Sequence, residues 1–331
     1  MDLLNIKPNV VSKDVSGKFF LFYGDPSTRK TTVASQFPGA LLLATEIGYS
    51  LIPGVHAVNI TSWTDFRGVI RELKRPEVKE KYQTIVIDTV GLLTDMCMRY
   101  ICHVNGVDEL SAVPWGRGWT DFKKEFRSQV NSIAQMGYSI VFIAHSDTKR
   151  DNETGAITSA LPSMDKKPRE AVIALVDFIM FLQKEPKDGN EEEITVYAYT
   201  QLVSAIESKT RARYLSPRFE FNFENLQKEI RLAIEKYEEV ETNGNGNINL
   251  VTEEVINHHT DQSSIPFDTL KSEVIEIATE LLTHSDPEIK GRATSVTSTI
   301  MKGVRISEAA EQHYEQLKAL MESLIDIKEG V

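Results

Sequence analysis

Nine consecutive residues, Gly24-Asp25-Pro26-Ser27-Thr28-Arg29-Lys30-Thr31-Thr32, have the types and spacing that bind phosphate. They follow the apolar run KFFLFY and match G-x-x-x-x-G-K-[ST], except that Arg29 stands where the second glycine is expected. In such a loop the backbone N–H groups converge on the phosphate chain, the Lys30 ammonium bridges the β- and γ-phosphates, and the Thr31 hydroxyl ligates Mg2+. ATP and Mg2+ are therefore the expected ligands. Arg29 either crowds a backbone that glycine would leave free or adds positive charge near the phosphates, and the residue type alone allows both.

Two carboxylates lie at chemically useful distances along the chain. Thr84-Ile85-Val86-Ile87-Asp88 is an apolar strand ending in an acid, 58 residues after Lys30, the pattern that holds Mg2+ through water. Glu46 closes the apolar run ALLLAT, sixteen residues after Lys30. The carboxyl ends of parallel strands converge on one ligand crevice, so Glu46 is placed to orient or deprotonate an attacking water; the plainer reading is an exposed loop glutamate.

Positioning these groups requires a sheet whose strands end together. Short apolar runs bounded by turn signals recur at 19–23, 40–44, 85–87 and 140–144, with polar or amphipathic stretches between them. That alternation predicts an α/β fold built on a mainly parallel, twisted sheet flanked by helices. Further strands are expected at 176–182 and, from period-two alternation, at 194–199 as an antiparallel extension, with a helix from about 224 to 240. The segment 241–265 is rich in Asn, Gly and acid and reads as a flexible linker. Beyond it, Leu270, Val274, Ile277 and Leu281 share a helical face, Asp286-Pro287 starts a second helix that Gly303 ends, and Ser307 caps a third with a stripe through Ala310, Leu317, Leu320 and Leu324. The expected organisation is thus a core at 1–240, the linker, and a small helical appendage at 266–331.

Composition narrows the partners. A net charge of −11 over 331 residues excludes coating of nucleic acid by overall positive charge, so any such contact must be a local patch. The two cysteines, Cys97 and Cys102, form neither a disulfide framework nor a four-ligand metal site, and buried free thiols in a reducing compartment are expected. No basic leader with a long apolar run opens the chain, and no stretch approaches about 18 consecutive apolar residues, so a soluble cytoplasmic protein without a membrane partner is expected.

Taken together, the loop at 24–32, Glu46 and Asp88 resemble the RecA-like P-loop ATPases, and most closely the phage-encoded branch described as single-strand annealing recombinases, over about residues 16 to 220. The resemblance implies an ATPase in which Glu46 is the catalytic base, Asp88 is the metal-holding acid, and His145, at the end of the strand GYSIVFIA, senses the γ-phosphate. It also implies two loops facing single-stranded DNA. One is 113–119, where Trp115 and Trp119 stack on bases while Arg117, Lys123 and Lys124 meet phosphate, with core packing as the alternative for the tryptophans. The other is the long stretch 146–168, with Lys149, Arg150, Lys166 and Lys167. Lys209 and Arg211, in a run at 208–218 holding four basic side chains and no acid, are implied to reach a neighbour's ATP site; a solvated basic turn is the alternative.

On this resemblance the chain is expected to assemble into a ring or filament, to bind single-stranded DNA, and to promote annealing or strand exchange in phage recombination within the bacterial host cytoplasm. A single-strand-binding protein or another replication or recombination protein is the expected further partner. Two rival functions fit the same residues: a nucleotide-gated binding module with little hydrolysis, suggested by Arg29, and a motor of KaiC or DnaB type.

Overall fold

The computed structural model describes residues 11–187, 190–201, 206–241, 251–252, 267–284 and 286–329. In chain order the elements are β1 (Val11–Ser12), β2 (Phe19–Gly24), α1 (Lys30–Ala34), β3 (Ala40–Ala44), β4 (His56–Asn59), α2 (Trp63–Leu73), α3 (Pro76–Lys81) and β5 (Thr84–Asp88). Then come α4 (Val90–Asn105), α5 (Arg117–Gln135), β6 (Ser139–Ala144), β7 (Ser146–Arg150), β8 (Ile157–Pro162), α6 (Lys166–Leu175) and β9 (Phe178–Lys187). The unit closes with β10 (Asn190–Tyr199), β11 (Lys209–Thr210), β12 (Arg218–Glu220), α7 (Phe223–Glu241) and β13 (Val251–Thr252), which pairs with β1.

Among the described residues the main sheet runs β12-β10-β9-β2-β6-β5-β3-β4, with β11 also against β9. The strands from β9 to β4 pair in parallel, and β10, β11 and β12 add antiparallel edges. This is the expected α/β architecture, a mainly parallel sheet flanked by helices. The reason lies in the strand sequences: FFLFYG, TIVID and SIVFIA have both faces covered, which only a central parallel strand requires. Side chains alternate between two cores. Leu21, Tyr23, Ile85, Ile87, Ile140 and Phe142 pack under α2, α4 and α5, whereas Phe20, Phe22, Val86, Val141, Met180 and Leu182 pack with Val33 and Ala34 of α1 and Leu226 and Ile230 of α7.

Register brings the chemistry to one edge. Tyr23 pairs with Ala144, Asp88 with Ile143, and Ala44 with Asp88, so β2, β6, β5 and β3 end at the same level. Gly24, His145, Asp88 and Glu46 follow at that edge.

Two local expectations are corrected. The stretch 146–168 is not an open loop: Ser146 pairs with Pro162 and Lys149 with Ser159 in an antiparallel hairpin, and α6 begins at Lys166. Its turn is an Asx-type closure in which Asp151 Oδ1 accepts the N–H groups of Glu153 and Thr154 at 3.1 and 2.8 Å. The segment 113–119 is likewise a single 3-10 turn, Pro114–Gly116, running into the first turn of α5. Ile206 bridges Ala160, and β11 begins at Lys209.

Residues 1–261 and 262–331 are two compact units. Most of the expected linker lies outside the described residues. In the second unit α8 (Phe267–Leu282), α9 (Pro287–Met301) and α10 (Tyr314–Glu329) enclose Leu270, Val274, Leu281, Leu317, Leu320 and Leu324. Asp286 caps α9, accepting the Glu288 N–H at 2.9 Å. Ser307 does not cap α10, which starts at Tyr314 after two 3-10 turns; Ala309 rather than Ala310 is the buried alanine there.

Candidate functional site

The loop from Gly24 to Lys30 wraps around the lysine ammonium. Lys30 Nζ donates to the carbonyls of Gly24 and Asp25 at 2.8 and 2.9 Å and to Thr28 Oγ1 at 3.2 Å, and Thr28 in turn donates to the Asp25 carbonyl at 2.9 Å. Ser27 and Arg29 take left-handed backbone conformations, with φ of 63° and 60°. The loop therefore keeps the backbone shape that glycine normally supplies, and Arg29 meets that requirement with its side chain exposed rather than by crowding the loop. A left-handed non-glycine residue costs about 1–2 kcal/mol. Glycine's extra freedom in the unfolded chain takes back about 0.5–1 kcal/mol. Arg29→Gly is therefore expected to raise the free energy of unfolding by about 0.5–1 kcal/mol, read as a shift in the urea midpoint. A destabilised variant would show that the guanidinium makes up more than the strain.

Burial pushes the Lys30 ammonium down to about 8, against the partial support of Asp88, Asp25 and Glu46. The sign follows directly: the folded protein gives up this proton more readily than the unfolded chain, so Lys30 opposes folding below about pH 8 and ceases to as pH rises towards the free lysine value. Anionic phosphate needs the charged form. Nucleotide affinity is accordingly expected to fall about tenfold per pH unit above 8, with proton uptake on binding, as calorimetry in buffers of different ionisation enthalpy would record. An affinity flat from pH 8 to 9.5 would remove Lys30 from the binding step.

Thr31 and Asp88 meet at the end of β5. Thr31 Oγ1 donates to Asp88 Oδ2 at 2.6 Å, and Asp88 is 6 % exposed, its carboxyl pushed above the usual range by burial. A buried carboxylate accepting a hydrogen bond from the Thr31 hydroxyl makes a hard-oxygen pair of the kind Mg2+ takes when most of its ligands are water and phosphate. Among the described residues no cluster of three or more His, Cys, Asp or Glu could hold a metal ion alone. These residues fit Mg2+.

Thr45 fixes the geometry between Glu46 and Asp88. Its N–H donates to the Asp88 carbonyl at 2.8 Å, and its hydroxyl exchanges hydrogen bonds with the Thr89 N–H and carbonyl at 2.8 and 3.0 Å. Glu46 Oε1 then lies 3.3 Å from His145 Nε2, with both side chains partly exposed. The next residue, Ser146, donates its hydroxyl to Asp25 Oδ1 at 2.6 Å. The phosphate loop, the base candidate and the first residue of the hairpin thus form one connected set. Thr45 and Ser146 escaped sequence reading because small hydroxyl residues beside a motif carry no signal until strand ends are in register.

The remaining expected residues lie away from this set. Trp115 is 97 % exposed, held at φ 63° ahead of Gly116, while Arg117 is exposed at the start of α5. Trp119 is different: it packs edge-on against Phe122, and the Lys167 ammonium sits 4.3 Å from its ring centroid. Its ring is taken by packing and by a cation–π contact between α5 and α6. Gly118 does not loosen this segment, since a Cβ there would lie 2.3 Å from the Leu110 carbonyl oxygen. Lys149 and Arg150 are exposed on β7, and Lys166 and Lys167 on α6.

Lys209 and Arg211 sit at the other end of the sheet from the phosphate loop, beside Ile179 and Asp177 at the start of β9. Lys209 Nζ donates to the Ile173 carbonyl at 2.9 Å, and Arg211 pairs with Asp177 at 2.8 Å. They are outside this chain's own site. Burial at a cavity of about 420 Å³, lined also by Lys166 and Arg169, lowers the Lys209 ammonium.

A phosphate loop after the central strand, an acid ending β5 and a carboxylate ending β3, all at one sheet edge, define a P-loop ATPase. The chain belongs to the AAA domain family, whose model matches residues 16–212, more than half of the chain. It is 27 % identical, over 99 % of its length and 98 % of the relative's, to the SPbeta prophage-derived uncharacterized protein YorG of Bacillus subtilis strain 168. Among solved structures it is similar to a KaiC-like protein from Pyrococcus horikoshii OT3, at 12 % identity and TM-score 0.37 over 65 % of this chain and 95 % of that one. The flagellar accessory protein FlaH of Methanocaldococcus jannaschii also matches, at 9 % identity and TM-score 0.33 over 62 % and 85 % of the two chains. Among the described residues no helix is long and apolar enough to cross a membrane.

Proposed function

We propose that this protein is an ATP- and Mg2+-dependent, self-assembling ATPase that binds single-stranded DNA and promotes annealing or strand exchange in phage recombination. The observation that carries the reading is the connection from Glu46 through His145 and Ser146 to Asp25, which ties the phosphate loop to the base of the hairpin holding Lys149 and Arg150. A ligand that pulls Lys30 from the loop carbonyls and reorders Asp25 releases Ser146, so the state of the nucleotide reaches the hairpin through two side chains. The exposed Trp115 ring supplies a stacking surface, and the kinship with a prophage-derived protein fits a phage setting.

In turnover, Lys30 neutralises phosphate charge and Glu46 accepts a proton from the attacking water. Thr31 and Asp88 would hold Mg2+, which would supply further charge neutralisation to the phosphates. His145 holds the Glu46 carboxylate at the strand end until the substrate draws it away. Completion of the site by cations of a neighbouring copy, Lys209 and Arg211, fits their place at the far end of the chain's own sheet.

The test is binding of a fluorescent single-stranded oligonucleotide with ATP, with ADP and without nucleotide. The reading expects clear dependence on nucleotide state and loss of that dependence in Ser146→Ala. Equal affinity in all three conditions would sink it. A second reading, a nucleotide-gated binding module with little hydrolysis, is favoured by the full set of loop oxygens already on Lys30. Tight ATP binding with turnover at background would select it.

A further inference from the structure

Lys184 lies on β9, the strand directly beside β2, in parallel register with Gly24 opposite Leu182. The two backbones are pressed together there: a Cβ on Gly24 would fall 2.3 Å from the Leu182 carbonyl oxygen. While β2 turns away into the phosphate loop, β9 continues past it for two more residues to Lys184, a rise of about 6–7 Å at the carboxyl edge of the sheet.

The direction of the side chain follows from strand alternation. Phe178, Met180 and Leu182 all pack in the core beneath α1, so Lys184 shares that face, the one from which α1 rises at Lys30. Its cross-strand neighbour, Val196, belongs to the same core. The charged side chains around it are committed elsewhere: Glu185 binds Arg218 at 2.6 Å, and Lys187 binds Glu193 at 3.3 Å. Among the described residues Lys184 has no carboxylate or hydrogen-bond partner, and it is exposed.

We propose that Lys184 is a second phosphate-binding cation of the nucleotide site, supplied by the strand next to the phosphate loop. The sheet order gives it a distinct place. In the order β9-β2-β6-β5-β3 the phosphate loop follows β2, while His145, Asp88 and Glu46 end the strands on one side of it and Lys184 lies on the other. The ligand is a nucleoside di- or triphosphate whose terminal phosphate points towards Glu46 and whose inner phosphates lie towards Lys184. This rests on the reading that the loop binds nucleotide. It adds that ADP and ATP feel Lys184 alike, which a γ-phosphate sensor would not.

Calorimetric titration of Mg-ADP and Mg-ATP into wild type, Lys184→Ala and Lys184→Arg tests it. Loss of a charged hydrogen-bond donor is expected to weaken both nucleotides about tenfold or more in Lys184→Ala. The deficit should shrink at high salt, and Lys184→Arg should restore most of the affinity. Because Lys184 is exposed, the thermal midpoint without nucleotide should not move, which separates lost binding from lost folding. Wild-type binding with an unchanged Lys184→Ala variant overturns this assignment and leaves the site reading standing. A deficit confined to ATP overturns the placement beside the inner phosphates. Wild type that binds neither nucleotide overturns both.

Discussion

Glu46→Gln is expected to lower ATP turnover by about 10²–10⁴-fold while leaving ATP affinity nearly unchanged, the usual scale for removing a general base. The substitution keeps the size of the side chain and an oxygen facing His145 Nε2, which lies 3.3 Å from the present carboxylate. It removes only the capacity to take a proton. Glu46 is partly exposed and its backbone is set by Thr45, so the substitution leaves the end of the strand in place. Single-turnover measurement at saturating ATP reads the effect directly. A variant within threefold of wild type would show that another group activates the water.

Trp115→Ala is expected to weaken binding of single-stranded DNA by about 1–3 kcal/mol, roughly 5- to 150-fold, the worth of one base stacked on an aromatic ring. It should leave stability unchanged. The indole is 97 % exposed and contributes almost no core packing, and alanine keeps the same left-handed backbone, with φ of 63°. Trp119→Ala serves as the contrast. That ring packs on Phe122 and under Lys167, so its loss should lower stability and affect DNA only indirectly. Fluorescence anisotropy beside urea melts separates the two. Full DNA affinity in Trp115→Ala would redirect the exposed ring to a protein partner.

Strands buried on both faces were legible from the residues because their apolar runs have no polar interruption: the run at 40–44 coincides with β3. The phosphate loop, Glu46 and Asp88 were legible because each sits at the end of such a run. The hairpin was not. SDTKR and ITSALP place few side chains in the core, so neither strand shows a strong apolar period, and the turn at 151–155 dominates the local pattern. Trp119 and Trp115 looked alike in sequence because their difference is tertiary: α6 brings Lys167 onto one ring and leaves the other bare. The backbone of Arg29 was a similar case, since only the loop's closure around Lys30 shows that the left-handed conformation is kept without glycine. Lys184 depends on β9 lying beside β2, a pairing between residues far apart in the chain.

The edge formed by Lys30, Thr31, Glu46 and Asp88 is proposed to turn over ATP and to answer to single-stranded DNA. Steady-state ATP hydrolysis by wild type and Lys30→Ala, titrated with single-stranded oligonucleotide, decides this. Turnover is expected to rise several-fold with DNA in wild type and to stay at background in Lys30→Ala. Wild-type turnover at background with or without DNA, or hydrolysis that survives loss of Lys30, would overturn the proposal.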